Sequence, residues 1–125
     1  MKMKRMGVSL GDPAGIGPEV LVKSFHTIEN LRGVVPIVIG DIPVIEKNLR
    51  FSCASFSINR VQIVQDIKKG YFNIYSPGII KNRGFTTGKD TRLTGNASFQ
   101  YVCEAVRLWK EGFIDALVTL PISKN

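Results

Sequence analysis

Apolar positions along the chain follow two spacings, and they alternate. Met6, Val8 and Leu10 are separated by small or polar residues, which predicts a short strand over 5–10. Val20, Leu21, Ser24, Phe25 and Ile28 then fall on one helical face. Residues 34–39 (VVPIVI) form an unbroken apolar run, the pattern of a strand covered on both faces of a parallel sheet. Pro36 lacks an N–H and keeps the first half of that strand away from a central position. A second helix is predicted from about Pro43, with Asp41 as its cap and Val44, Ile45 and Leu49 inward. Strand, helix, strand, helix points to a three-layer α/β/α fold with a mostly parallel sheet, one domain over 1–125.

The middle of the chain is less regular. Phe56, Ile58, Val61, Ile63 and Val64 read as one or two strands around Asn59-Arg60, followed by a polar break or short helical turn over 65–70. Residues 71–75 read as a further strand, stopped by Ser76-Pro77-Gly78. Lys81 to Gly95 is polar and reads as a long loop, in which Lys81, Arg83, Lys89 and Arg92 either gather around an anion or remain solvated. With Asn96 as a cap, Phe99, Val102, Cys103, Val106 and Trp109 recur at helical spacing, widened by Tyr101, Ala105 and Leu108. That width predicts a helix buried on more than one side, with Trp109 in the core and Gly112 as its stop. Ala116 to Leu120 reads as a buried parallel strand, ended by Pro121.

Two bends then stand out. Gly11, Gly15 and Gly17, with Pro13 and Pro18, lie between the first strand and the first helix. Glycine permits positive φ and close approach of a neighbour, whether ligand or protein. Free N–H groups opening the helix suit a phosphate or carboxylate, but a tight turn explains the composition equally well. The dinucleotide fingerprint G-x-G-x-x-G is not met, because Val20 stands where the third glycine belongs. Thr119, Ser123 and Lys124 sit at or just beyond the end of the last strand. Ligands of open α/β sheets bind at the carboxyl ends of the strands, so both bends are expected to face one crevice if their strands are parallel.

Composition narrows the rest. Net charge is +7, with 17 basic and 10 acidic residues spread along the chain, and basic residues are not interleaved with aromatics as in RNA-binding modules. A solvated basic surface or a site for phosphorylated molecules is expected, without nucleic acid. No apolar run is long enough to span a bilayer and no signal-peptide pattern opens the chain, so a cytoplasmic protein without a membrane partner is expected. Cys53 and Cys103 lie among apolar neighbours and read as buried thiols. His26 is the single histidine, read as a surface or capping residue, and no metal-ligand set or nucleophile elbow is present.

The segment SLGDPAGIGPE, Ser9 to Glu19, resembles the amino-terminal signature of the 4-hydroxythreonine-4-phosphate dehydrogenase family. Its core, Gly15-Ile16-Gly17-Pro18-Glu19, is shared with the related isocitrate and isopropylmalate dehydrogenases. The segment Asp115 to Lys124 (DALVTLPISK) is similar to a second signature of the same family. The resemblance implies a two-domain α/β homodimer that uses NAD to oxidise the secondary alcohol of 4-phosphohydroxy-L-threonine. The β-keto acid so formed loses carbon dioxide and yields 3-amino-2-oxopropyl phosphate, in pyridoxal phosphate biosynthesis. A divalent metal (zinc, magnesium or cobalt) held by histidines polarises the reacting oxygens in that family.

The departures are large. The family's Gly-His-Thr-Glu segment and metal histidines are not found among these 125 residues, and His26 matches none of them. The expectation is therefore an amino-terminal fragment of a longer two-domain dehydrogenase, incomplete relative to the family fold and inactive alone. It assigns no catalytic residue and no metal ligand to this chain. The cleft candidates that carry over are Asp12, Gly15, Gly17, Thr119 and Lys124, with Lys124 as a polar or phosphate contact and the loop as a wall. The alternative is a module that binds a phosphorylated small molecule, or serves association, without catalysis.

Overall fold

A computed structural model describes residues 3–49 and 56–122. In chain order the elements are β1 (Lys4–Ser9), α1 (Gly17–Glu29), β2 (Val34–Ile39), α2 (Ile42–Leu49), β3 (Ile58–Arg60), a 3-10 turn (Val64–Asp66), β4 (Phe72–Tyr75), α3 (Arg92–Lys110) and β5 (Ala116–Thr119). The strands form one sheet in the order β3-β4-β2-β1-β5. Each pairing is parallel.

The alternation of side chains across the sheet builds the three layers. Val8, Leu10 and Val38 face α1 and α2, in a core with Leu21, Val22, Phe25, Val44 and Ile45. Ile37 and Ile39 point the other way and pack with Ala105, Leu108 and Ile114. Phe25 and Phe72 lie 4.5 Å apart between ring centroids, and Phe56 sits 4.9 Å from Phe25. The α1 face is turned slightly from the expected one: Val20 is exposed and Val22 is buried in its place.

Pro36 behaves as its chemistry requires. β4 pairs with β2 only at Val38 and Ile39, so the Pro36 half of β2 is bonded on the β1 side alone. The middle segment is one three-residue strand with Asn59-Arg60 inside it rather than at a turn. Asn59 Nδ2 donates to Asp66 O and to Asn73 Oδ1, both at 2.7 Å, and ties the strand to the 3-10 turn.

Helix α3 begins earlier than Asn96. Thr91 is its N-cap: Thr94 N donates to Thr91 Oγ1 at 3.1 Å, and Thr91 N donates to Thr94 Oγ1 at 3.0 Å. The reciprocal pair satisfies two helix-end groups and draws Gly95 into the first turn. Gly112 ends the helix with φ 79°, as expected. Arg5 completes that end, donating through Nε to Phe113 O at 2.6 Å and through Nη2 to Gly112 O at 2.9 Å.

Burial corrects four expectations. α3 buries one face only, through Thr94, Ala97, Ser98, Tyr101, Ala105 and Leu108. Trp109 is 53% exposed and Phe99 65% exposed, while Cys103 lies on the surface; Cys53 is outside the described residues. The strand expected to be buried, β5, is an edge strand with Val118 44% exposed. Apolar patterning reports what a residue favours covering, and among the described residues nothing covers these.

Candidate functional site

The carboxyl ends of β1, β2 and β5 lie side by side, and the connections leaving them form one rim of the sheet. Ser9 and Thr119 are register partners at the ends of β1 and β5. Beyond them the two strands stay bonded: Leu120 N donates to Ser9 O at 3.0 Å and Asp12 N to Pro121 O at 2.9 Å. Residues 11–17 and 119–121 therefore meet along one rim, as their parallel strands require. Asp12, Gly15, Gly17 and Thr119 all belong to this meeting; Lys124 lies outside the described residues.

The glycines of the bend are explained by protein rather than by ligand. Gly11 has φ 72°, and a Cβ there would collide with the carbonyl oxygens of Leu120 and Pro121. A Cβ at Gly17 would stand 2.9 Å from Leu10 O and 3.1 Å from Leu120 Cβ. Gly15 closes a local turn, donating to Asp12 O at 3.0 Å. The space beside Gly11 and Gly17 is filled by Leu120 and Pro121, so it does not fit a dinucleotide pyrophosphate. Nor do the described residues contain a group of three or more His, Cys, Asp or Glu side chains able to hold a metal. No step through either group follows from this chain.

Asp12 is buried and holds its own turn, its Oδ1 accepting from Ala14 N at 2.9 Å. Burial raises its pKa above the ordinary 3.8; the Ala14 N–H opposes this, and the charge of Asp90 with its hydrogen bond adds to the rise. A third segment thus reaches the rim, and Gly88 N fastens it by donating to Ala14 O at 2.7 Å. Thr119 is exposed on the β5 edge beside this junction. Ser9 Oγ is buried with no partner among the described residues.

A second polar centre, at Asp41 just past the carboxyl end of β2, was read from the sequence as a helix cap. The Asp41 carboxylate instead accepts five hydrogen bonds. Its Oδ1 takes Ser76 Oγ at 3.0 Å and Gly78 N at 2.6 Å. Its Oδ2 takes Ile79 N at 3.0 Å, Ile80 N at 2.7 Å and Tyr101 Oη–H at 2.6 Å. Burial, then the Asp41 charge and hydrogen bond, push the Tyr101 hydroxyl well above its ordinary 10.0. The α2 N-terminus is served by Ser76 Oγ, which faces Ile42 N at 3.2 Å. No local pattern names partners 35 to 60 residues away.

Arg83 and Lys81 do not converge on one site. Arg83 lines a cavity of about 580 Å³ with Glu19, Lys47, Asn48, Thr86 and Thr87. Lys81 lines a different cavity of about 330 Å³ with Arg60 and Ser76. Arg92 opens α3. His26 is on the surface, its Nδ1 3.0 Å from Glu29 Oε1.

An open parallel α/β sheet with its polar bends gathered at the carboxyl rim defines the class to which nucleotide- and phosphate-handling α/β enzymes belong. Within that class the chain belongs to the family of the pyridoxal phosphate biosynthetic protein PdxA, whose model matches residues 33–125. A Clostridium botulinum (strain Hall) protein with the provisional name D-threonate 4-phosphate dehydrogenase is 35% identical over 122 residues, covering 96% of this chain and 36% of its own length. A Fusobacterium nucleatum relative of the same provisional name is 31% identical, covering 97% of this chain and 37% of its own length. The crystal structure of a 4-hydroxythreonine-4-phosphate dehydrogenase from Burkholderia phymatum superposes with a TM-score of 0.89 at 30% identity, over 99% of this chain and 38% of that one. The α/β fold is that of these proteins, and the chain spans little more than a third of their length. No helix among the described residues is long and apolar enough to cross a membrane.

Proposed function

We propose that the chain is the amino-terminal part of an NAD-dependent dehydrogenase of the PdxA type. In this reading the complete enzyme oxidises the secondary alcohol of a four-carbon phosphorylated hydroxy acid. The substrate is 4-phosphohydroxy-L-threonine or the D-threonate 4-phosphate that the names of relatives indicate. NAD, when bound, would supply the hydride acceptor, and a divalent metal would supply the charge that polarises the reacting oxygens. The metal ligands and the greater part of the cofactor site would come from the larger part of the enzyme that this chain does not match. The protein is cytoplasmic and its complete form a homodimer.

This chain's contribution is one wall of the cleft: Asp12, Gly15 and Gly17 on one bend and Thr119 on the other, with Lys124 carried over from the sequence motif alone. Asp12 holds the bend closed through Ala14 N. Gly11 and Gly17 let Leu120 and Pro121 pass close against it. Thr119 stands exposed at the rim. The observation that carries the reading is the meeting of these two bends on adjacent parallel strands, within a fold that matches a dehydrogenase of the family at TM-score 0.89. Among the described residues nothing covers the outer face of α3 or pairs with the free edge of β5, which supports burial of both against further chain.

Alone, the 125-residue protein is expected to show no turnover with NAD, a divalent metal and either substrate. A chimera tests the assignment: residues 1–122 of this chain replace the matching part of the Burkholderia phymatum enzyme. Reduced nicotinamide formed by the chimera supports the reading. A folded chimera without turnover on either substrate overturns it, and turnover by the chain alone overturns its inactivity.

A further inference from the structure

We propose that the cavity between α1, α2 and the 83–88 loop binds the phosphoryl group of a small ligand. The proposal deepens the dehydrogenase reading, and rests on it only for which ligand carries that group. The cavity measures about 580 Å³, inside the range of about 300–1,000 Å³ typical of small-molecule sites. Its lining brings together Lys47, Arg83, the Asn48 amide and the hydroxyls of Thr86 and Thr87. The one acid on the wall, Glu19, is partly neutralised by Lys23, whose Nζ donates to Glu19 Oε1 at 2.9 Å.

The loop is held rather than loose. Lys47 Nζ donates to Arg83 O at 3.3 Å and to Phe85 O, and lies 4.2 Å from the centroid of the Phe85 ring. At the other end Gly88 N donates to Ala14 O at 2.7 Å. Thr86 and Thr87 are strung between these two ties, exposed on the cavity side of the chain's surface. An ammonium has three protons, so two carbonyl bonds leave Lys47 one donor for an anion. Arg83 adds a fork of donors suited to phosphate, and the hydroxyls match its remaining oxygens. The tie at Ala14 places this cavity next to the Asp12 bend, so a phosphorylated ligand here would reach toward the rim of the proposed cleft.

The same chemistry has two sources, the phosphate of a hydroxy-acid substrate and the pyrophosphate of a dinucleotide. Amide chemical shifts and calorimetry of the 125-residue protein are read with inorganic phosphate, 4-phosphohydroxy-L-threonine and NAD as probes. Saturable shifts confined to 84–87 and Lys47 are expected. Arg83→Gln is expected to weaken binding about tenfold or more, the loss of one charge-assisted bond. Thr87→Val should weaken it less, and Lys81→Gln, in the other cavity, should leave it unchanged. A phosphomonoester binding more tightly than NAD marks a substrate site, and the reverse order marks a cofactor site. No saturable shift at 84–87, or an Arg83→Gln variant that binds like the parent, overturns the proposal. An inactive chimera with phosphate binding intact removes the dehydrogenase reading alone, and an active chimera without phosphate binding removes this site alone.

Discussion

Asp41→Asn is the substitution that most directly tests how this fold is held. It changes one oxygen to an NH2 and removes the charge, with almost no change in shape. The carboxylate faces five donors on two oxygens, two at Oδ1 and three at Oδ2. In the better amide orientation the NH2 faces Ser76 Oγ and Gly78 N. Ser76 can turn to accept, but the Gly78 N–H cannot and is left opposed to another donor. The remaining three bonds lose their charged acceptor. A bond to a charged group is worth about 1.5–3 kcal/mol and an orphaned buried donor costs about 1–3 kcal/mol. The expected loss is about 3 kcal/mol, a large share of the roughly 5–15 kcal/mol that stabilises a domain.

Urea unfolding measures this as a lower midpoint with an unchanged slope. Tyr101→Phe removes one of the same bonds and should cost about 1.5–2 kcal/mol. The double variant should lose less than the sum, because both changes strike one network. Alkali gives a second readout. Tyr101 in the folded state keeps its proton above the ordinary 10.0, so above that pH the folded state holds more protons than the unfolded state. Stability therefore falls as pH rises beyond about 10, and Tyr101→Phe should flatten that fall. An Asp41→Asn loss below about 1 kcal/mol, or strict additivity with Tyr101→Phe, would refute the view that this carboxylate ties β2, the 76–80 turn and α3 together.

Gly11→Ala should cost more than about 3 kcal/mol, since it combines a positive φ with collision against two backbone carbonyls. Gly70→Ala, at φ 85° with nothing within 4 Å, should cost about 1 kcal/mol, so similar urea midpoints for the two would sink the packing explanation of the bend. Asp12→Asn should be neutral or stabilising at pH 7, because it removes a carboxylate whose charged form is disfavoured by burial. The folded pKa of Asp12 is raised, so its stabilising contribution is present below about pH 3.8 and lost as pH rises through the folded value. The variant should lack that acid-side dependence in a pH series of thermal melts. Phe99→Glu with Trp109→Lys should shift stability by no more than about 0.5 kcal/mol each, because both side chains are largely exposed. A larger loss by calorimetry would mean that the outer face of α3 is covered in solution.

The sequence by itself determined the layered α/β class, because spacings of two and of three to four fix which residues can share a face. It placed β1, β2, β5 and the stop of α3, and the motifs around Gly15 and Lys124 carried the family. It also indicated that the two bends would share a rim, since parallel neighbours end on the same side. The start of α3 was misread because its cap, Thr91 with Thr94, lacks the acid that usually marks a capping box. Only the tertiary structure could decide what fills the space beside Gly11 and Gly17. A glycine records that something comes close, and whether that is a phosphate or Leu120 and Pro121 depends on contacts more than 100 residues apart in the chain. Separations of 35 to 60 residues likewise hid the partners of Asp41, and only the folded chain puts Arg83 and Lys81 in different cavities. Local pattern encodes the shape of each element, whereas the partners of a polar group are set by where the folded chain returns to it.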